Sequence, residues 1–182
     1  QAATLTKQGN RAQALSVLRQ AELNTGGKPD LLSAVASGFA DAGDTDHALS
    51  VLRSAIAQSS SPSPSLQLAY AGILLKTGDD VQVNQILRDL RNQKLQASEQ
   101  RSYDDLLFLY TVRQADLLRE KGDLVAAYDT LAPALAQRPN DSMAVASLAR
   151  MFLANNDAKK AIELYQPLLA KKPQDPELQI GM

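Results

Sequence analysis

The 182-residue chain has no cysteine and a single histidine. Disulfides and thiolate metal sites are therefore excluded, and one imidazole is too few for a zinc site or a histidine-based catalytic triad. A cysteine-free chain suits periplasm and cytosol alike. No apolar run reaches the roughly 18 residues that cross a bilayer, and no charged-then-apolar signal segment follows Gln1. An export signal ahead of Gln1 stays compatible with that. Basic excess is missing too, with 19 Lys and Arg against 20 Asp and Glu. A nucleic-acid duplex carries about one charge per 1.7 Å, so no nucleic-acid partner is expected. Each glycine of the repeated turns stands alone, which leaves no Gly-rich phosphate loop there. Adjacent acids such as Asp79 with Asp80, or Asp104 with Asp105, point about 100° apart on a helix, unlike two carboxylates flanking a bond. They read as helix-start charges. His47 precedes a repeated alanine on the outward edge of a helix and reads as an ordinary solvated residue. The expectation is a non-catalytic chain with no metal and no cofactor.

Aromatics make up only 4% of the chain, whereas apolar residues make up 45% and are dominated by Ala and Leu. Both are good helix formers, and alanine fills narrow gaps between helices. The composition favours an all-helical packed protein.

A repeat runs through that composition. A Gly followed by a polar residue and, a few positions on, a small apolar residue occurs at Gly9, Asn10, Ala14, at Gly43, Asp44, Ala48 and at Gly122, Asp123, Ala127. Gly78, Asp79, Val83 and Asn156, Asp157, Ala161 are weaker copies. From Ala14 to Ala161 the intervals are 34, 35, 44 and 34 residues. Other slots keep step. First helices carry a small residue at Ala36, Ala71, Ala115 and Ala149, and second helices a larger one at Leu18, Leu52, Leu87, Leu131 and Tyr165. Two antiparallel helices approach closely only where one offers little side chain, so small facing large is the pattern of a packed helical hairpin.

The turns have their own chemistry. Gly, and Asn at position 156, enter the left-handed conformation that ends a helix, and Asp44, Asp79, Asp123 and Asp157 are placed to cap or charge-match the next helix. Pro139 and Pro173 stop second helices. The spacing predicts helix pairs at 30–42 with 45–58, 64–77 with 80–93, 98–121 with 124–137 and 142–155 with 158–171. A second helix near 10–23 precedes them, and a new first helix starts at Pro176.

Two departures from regularity stand out. Pro133 and Pro167 occupy the same slot late in second helices, where each costs about 3 kcal/mol in a regular helix interior; a tuned curvature and a merely kinked or early-ending outer helix both fit. The 44-residue interval adds ten residues in "RNQKLQASEQRSYDDLLFLY", with Ser98 as expected N-cap and Tyr103, Leu106, Leu107, Tyr110 and Leu117 continuing in helical phase. A candidate hinge at Lys94, Ala97, Ser98 and Tyr103 and a simple longer helix stand side by side.

Over nearly the whole chain these slots resemble the tetratricopeptide repeat. The resemblance implies an all-α fold, an α-solenoid in which antiparallel helix pairs build a right-handed superhelix. It would be a single array over 1–182, cut from a longer chain. Its repeats would be 1–28 (partial), 29–63, 64–97, 98–141 with a lengthened first helix, 142–175, and the start of another at 176–182. A narrower resemblance lies in "VRQADLLREKGDLVAAYDTLAPALAQRPND" and "ASLARMFLANNDAKKAIELYQPLLAKKPQD", which are similar to repeats of the cellulose synthase operon protein C family of bacteria. In that family a long periplasmic repeat region leads into an outer-membrane β-barrel that exports the glucan. What this implies is a scaffold docking proteins of a polysaccharide synthase or secretion complex, with weak contact to glucan or peptidoglycan and a barrel elsewhere in the full-length chain. The alternative is a generic cytosolic peptide-docking adaptor.

In such arrays first helices line the concave face, and candidate contacts there are Ser33, Ser37, Asp41, Leu68, Lys76, Asp116, Arg119 and Arg150. Chaperone-binding members hold a C-terminal carboxylate with Lys and Asn. The matching positions are Ser33 with Ser37, Leu68 with Gly72, Val112 with Asp116 and Ala146 with Arg150, so that clamp is missing. Phe39, Tyr70, Phe152 and Tyr165 fall in core slots, leaving Tyr103, Phe108 and Tyr110 as the aromatics expected to be partly exposed. No aromatic platform for a sugar is expected.

Overall fold

The computed structural model describes residues 2–7 and 10–171, and among these residues there are ten helices and no strand. They are α1 (Ala2–Lys7), α2 (Arg11–Leu23), α3 (Pro29–Asp41), α4 (Thr45–Ala57), α5 (Pro64–Thr77), α6 (Asp80–Leu90), α7 (Ala97–Glu120), α8 (Leu124–Gln137), α9 (Ser142–Ala154) and α10 (Ala158–Lys171). Gly9, Pro173 and the helix expected from Pro176 lie outside the described residues. The chain divides into two compact units, Gln1–Leu106 and Leu107–Met182, with the division falling inside α7.

Four turns share one hydrogen-bond pattern. The N–H of Asp44, Asp79, Asp123 and Asp157 bonds back to the carbonyl of Phe39, Leu74, Leu118 and Phe152 at 2.8–3.0 Å. This six-to-one closure needs a left-handed residue just before it. Gly43, Gly78 and Gly122 have φ of +84°, +88° and +85°, and Asn156 has +59°. The following aspartate then accepts from the first turn of the next helix: Asp79 from the Gln82 N–H at 3.1 Å, Asp123 from Ala126 at 3.0 Å and Asp157 from Lys160 at 3.2 Å. The Lys160 backbone N–H, helped by its side chain, holds the Asp157 carboxyl below the usual carboxylate range. Asp44 departs from the expectation. Its side chain makes no capping bond, so there only charge and backbone closure serve the helix start.

Packing follows the small-and-large slots. Ala36, Ala71, Ala115 and Ala149 are fully buried, and so, within a few per cent, are Leu18, Leu52, Leu87, Leu131 and Tyr165. The recurring residue of the second helices, Ala14, Ala48, Val83, Ala127 and Ala161, is buried as well. In the first unit Gly38 of α3 lies tight against α2, since a Cβ there would lie 2.6 Å from Leu18 Cδ2. In the second unit Phe108, Val112, Ala115, Ala127, Leu131, Ala134, Ala144 and Met151 form one core across α7, α8 and α9. A neighbouring core joins α9 to α10 through Ala146, Ala149, Ala161, Tyr165 and Leu168.

Several local expectations are corrected. α6 ends at Leu90 rather than 93, because its apolar face is complete with the buried Leu90 and the polar residues that follow have nothing to pack on. Ser98 is not the N-cap of α7. That helix starts one residue earlier, and the Glu99 carboxylate accepts from the Gln96 N–H at 2.8 Å, the reach-back half of a capping box. By contrast, α8 and α10 keep the expected bounds 124–137 and 158–171 straight through Pro133 and Pro167, which removes the early-ending alternative, and Pro139 lies just past the end of α8 as the spacing predicts.

Gly122 isolates the conformational demand of these turns, since no atom lies within 4 Å of the place a Cβ would take. Gly122→Ala is expected to cost about 1 kcal/mol through the left-handed backbone alone, and Gly122→Asn less. The urea midpoint at unchanged m-value reads this out.

Candidate interaction surfaces

The first-helix residues singled out by the repeat divide by unit. In the first unit, Asp41 at the end of α3 pairs with Lys76 near the end of α5, Nζ to Oδ1 at 3.0 Å, with both side chains more than 60% exposed. Ser33 donates its hydroxyl to the Pro29 carbonyl at 2.8 Å, and Ser37 is exposed. Leu68 is the correction. It is only 7% exposed, because α5 is apolar on several sides and packs against α3, α4 and α6. A residue so placed offers a ligand almost nothing.

In the second unit, Asp116, Arg119 and Arg150 are brought together and satisfy one another. The Asp116 carboxylate accepts from Arg150 at 2.7 and 3.3 Å, from Arg119 Nε at 3.3 Å and from the Ser147 hydroxyl at 3.2 Å. Arg119 also reaches Glu120 at 3.1 Å. Asp41 and Lys76 stand in one repeat slot of successive first helices, as do Asp116 and Arg150. Opposite charge in equivalent slots is thus spent within each unit.

Of the candidate hinge residues, Lys94 lies exposed in the loop between α6 and α7, and Ala97 and Ser98 open α7. Tyr103 is buried in α7 and its hydroxyl donates to the Leu87 carbonyl of α6 at 3.3 Å. Phe108 is buried as well, beneath the Arg138 guanidinium at 4.4 Å. Of the three aromatics expected to be partly exposed in the long interval, Tyr103 and Phe108 are therefore core, whereas Tyr110 is half-buried.

His47 is likewise not a simple solvated residue. Its Nε2 lies 2.9 Å from Glu22 Oε2 of α2, and its ring meets Phe39 edge-on at 4.5 Å. The pair ties α4 to α2 across α3. Further along, Arg53 donates to the Tyr70 hydroxyl, which donates to Gln82, each at 3.3 Å, stitching α4, α5 and α6.

A feature no repeat slot foretells is a groove of about 340 Å³ in the second unit. Leu124, Val125, Tyr128 and Asp129 of α8 line it with Leu148, Met151, Phe152 and Asn155 of α9. Tyr128 is 52% exposed and Val125 75%. Tyr128 is an aromatic that slot-by-slot reasoning misses. Its place one residue past Ala127, on the side of α8 away from the hairpin core, is the signal that could have found it.

Among the described residues no group of three or more potential ligands could hold a metal ion, and no helix is long and apolar enough to cross a membrane. Residues 118–181 match the tetratricopeptide repeat family. With the 34-residue slots, the four shared turns and the buried small-and-large pairs, residues 118–181 belong to the tetratricopeptide repeat family, and the described helices share its fold.

Tetratricopeptide repeats are a non-catalytic fold that mediates protein–protein interaction. The array is 42% identical over 97% of its length to cellulose synthase operon protein C of Pseudomonas fluorescens (strain SBW25). It is 38% identical over 92% to the protein of that name from Xanthomonas axonopodis pv. citri, and 32% over 78% to that from Komagataeibacter sucrofermentans. It spans only 11–14% of the length of these curated relatives. Among solved structures, the C-terminal part of a tetratricopeptide repeat-containing protein from Cytophaga hutchinsonii superposes with a TM-score of 0.57 at 19% identity, over 99% of this chain and 66% of that one. That likeness concerns the fold alone.

The two ion pairs differ in what they contribute. Asp116→Ala removes one acceptor from each of two half-buried guanidinium groups and the acceptor of the buried Ser147 hydroxyl, and is expected to destabilise the chain by about 1–2 kcal/mol. Lys76→Ala removes an exposed pair and should change stability by less than about 0.5 kcal/mol. Urea denaturation of both variants beside the parent checks the contrast.

Proposed function

We propose that this array is the periplasmic repeat region of a cellulose or exopolysaccharide secretion protein, a docking arm between the synthase complex and an outer-membrane export pore. The observation that carries this reading is the identity of 42% across 97% of the chain with a cellulose synthase operon protein C. The long tetratricopeptide region and barrel of that family then supply the role. On the first-helix faces, Ser37 and the exposed Asp41–Lys76 pair are open to a protein partner, with Ser33 half-buried beside them, whereas Asp116, Arg119 and Arg150 meet one only by exchanging more buried partners.

The experiment is capture of purified synthase-complex proteins and of cell-wall material on the immobilised chain, with cytosolic chaperone tail peptides in parallel. Retention of a synthase-complex protein, weakened by Asp41→Lys or Lys76→Glu, is the expected result. Binding of chaperone tails alone sinks the proposal and supports a cytosolic adaptor.

The proposal includes a hinge at residues 94–103. The loop holding Lys94 and the exposed first turn at Ala97 and Ser98 would give way, and the Tyr103 bond to the Leu87 carbonyl would open with them. Small-angle X-ray scattering should then require more than one conformer. A profile fitted by one rigid conformer removes the hinge and leaves a longer helix.

A further inference from the structure

The groove between α8 and α9 combines an apolar floor with polar groups that the fold does not use. Leu148, Met151 and Phe152 of α9 line it, together with Leu124 and Val125 of α8. The half-exposed Tyr128 ring stands in the same lining, beside Asp129 and Asn155. Among the described residues, the Tyr128 hydroxyl, the Asp129 carboxylate and the Asn155 amide have no hydrogen-bond or ionic partner.

These groups define the chemistry of an occupant. Hydroxyl and amide both donate and accept, while the carboxylate only accepts. A purely apolar peptide anchor would fill the floor but cover this set without satisfying it, at the cost of burying unpaired polar atoms. A pyranose whose hydroxyls are all equatorial fits both halves. Its flat faces present C–H bonds to an aromatic ring, and its rim presents hydroxyls that donate and accept. The volume is at the small end for a ligand site.

We propose that the α8–α9 groove is a binding subsite for a β-linked glucan chain, with the sugar face against the Tyr128 ring and its hydroxyls on Asp129 and Asn155. This rests on the polysaccharide-secretion reading above and names the ligand contact within it. It also reverses the expectation that the chain has no aromatic platform for a sugar.

The test is calorimetric titration of the whole chain with cellohexaose and, separately, maltohexaose, using the parent, Tyr128→Ala, Tyr128→Phe and Asp129→Ala. Thermal unfolding of each variant shows that it is folded. Saturable cellohexaose binding is expected. Tyr128→Ala should weaken it about tenfold and Tyr128→Phe less than about threefold, because the ring face survives. Asp129→Ala should fall between them, and maltohexaose, whose linkage coils the chain away from a flat face, should bind more weakly. Absence of saturable binding by the parent overturns the proposal, as does undiminished binding by folded Tyr128→Ala. If Tyr128→Ala loses its hold on synthase-complex proteins while no variant binds cellohexaose, the proposal is also overturned and the groove is a protein dock. Capture of synthase-complex proteins is a separate measurement, so failure of the sugar site and failure of the docking arm are told apart.

Discussion

Close approach of paired helices at alanine is the constraint from which the rest of this structure follows. Ala36, Ala71, Ala115 and Ala149 have no exposed surface and sit in the slot that lets Leu52, Leu87, Leu131 and Tyr165 lie against a neighbouring helix. A larger residue there would hold the helices apart and uncover the leucines. Because each hairpin buries its face against the next, stability in such arrays is close to a sum of neighbour interfaces. One irregular interval is then tolerated without loss of its neighbours. The 24-residue α7 is that interval made longer, with its added aromatics turned inward.

Polar groups serve the same packing. The aspartate after each turn closes the preceding helix through its N–H, and in three of four cases caps the next through its carboxylate. Charges on the first helices are matched in equivalent slots of successive repeats, Asp41 with Lys76 and Asp116 with Arg150. A face that looks rich in ligand-binding charge is therefore largely self-neutralised. What the fold leaves unused lies instead beside the start of α8, where a tyrosine, a carboxylate and an amide line a groove with an apolar floor.

Helices, turns and core are legible in the chain because each is a local or periodic demand. Glycine at a left-handed turn, aspartate after it and alanine opposite leucine recur in fixed slots, and burial agrees at every such slot among the described residues. The start of α7 is not legible in this way. Ser98 is a good capping residue by type, yet the competing Glu99 reach-back to Gln96 shifts the start by one residue. Exposure at Leu68, Tyr103 and Phe108 also departs from expectation, since surface and core positions on a helix flanked by several neighbours cannot be told apart from one helix's periodicity.

Sequence by itself determined the repeat, the helix pairs, the turns and the family, because these rest on interactions spanning a few residues or one repeat period. Only tertiary structure decided which side chains remain free. Whether Asp116 meets a ligand or Arg150, whether His47 is solvated or held by Glu22, and whether Tyr128 faces solvent or core all depend on a neighbouring repeat. The physical reason is that freedom is a property of what surrounds a group, and those surroundings come from residues more than 20 positions away.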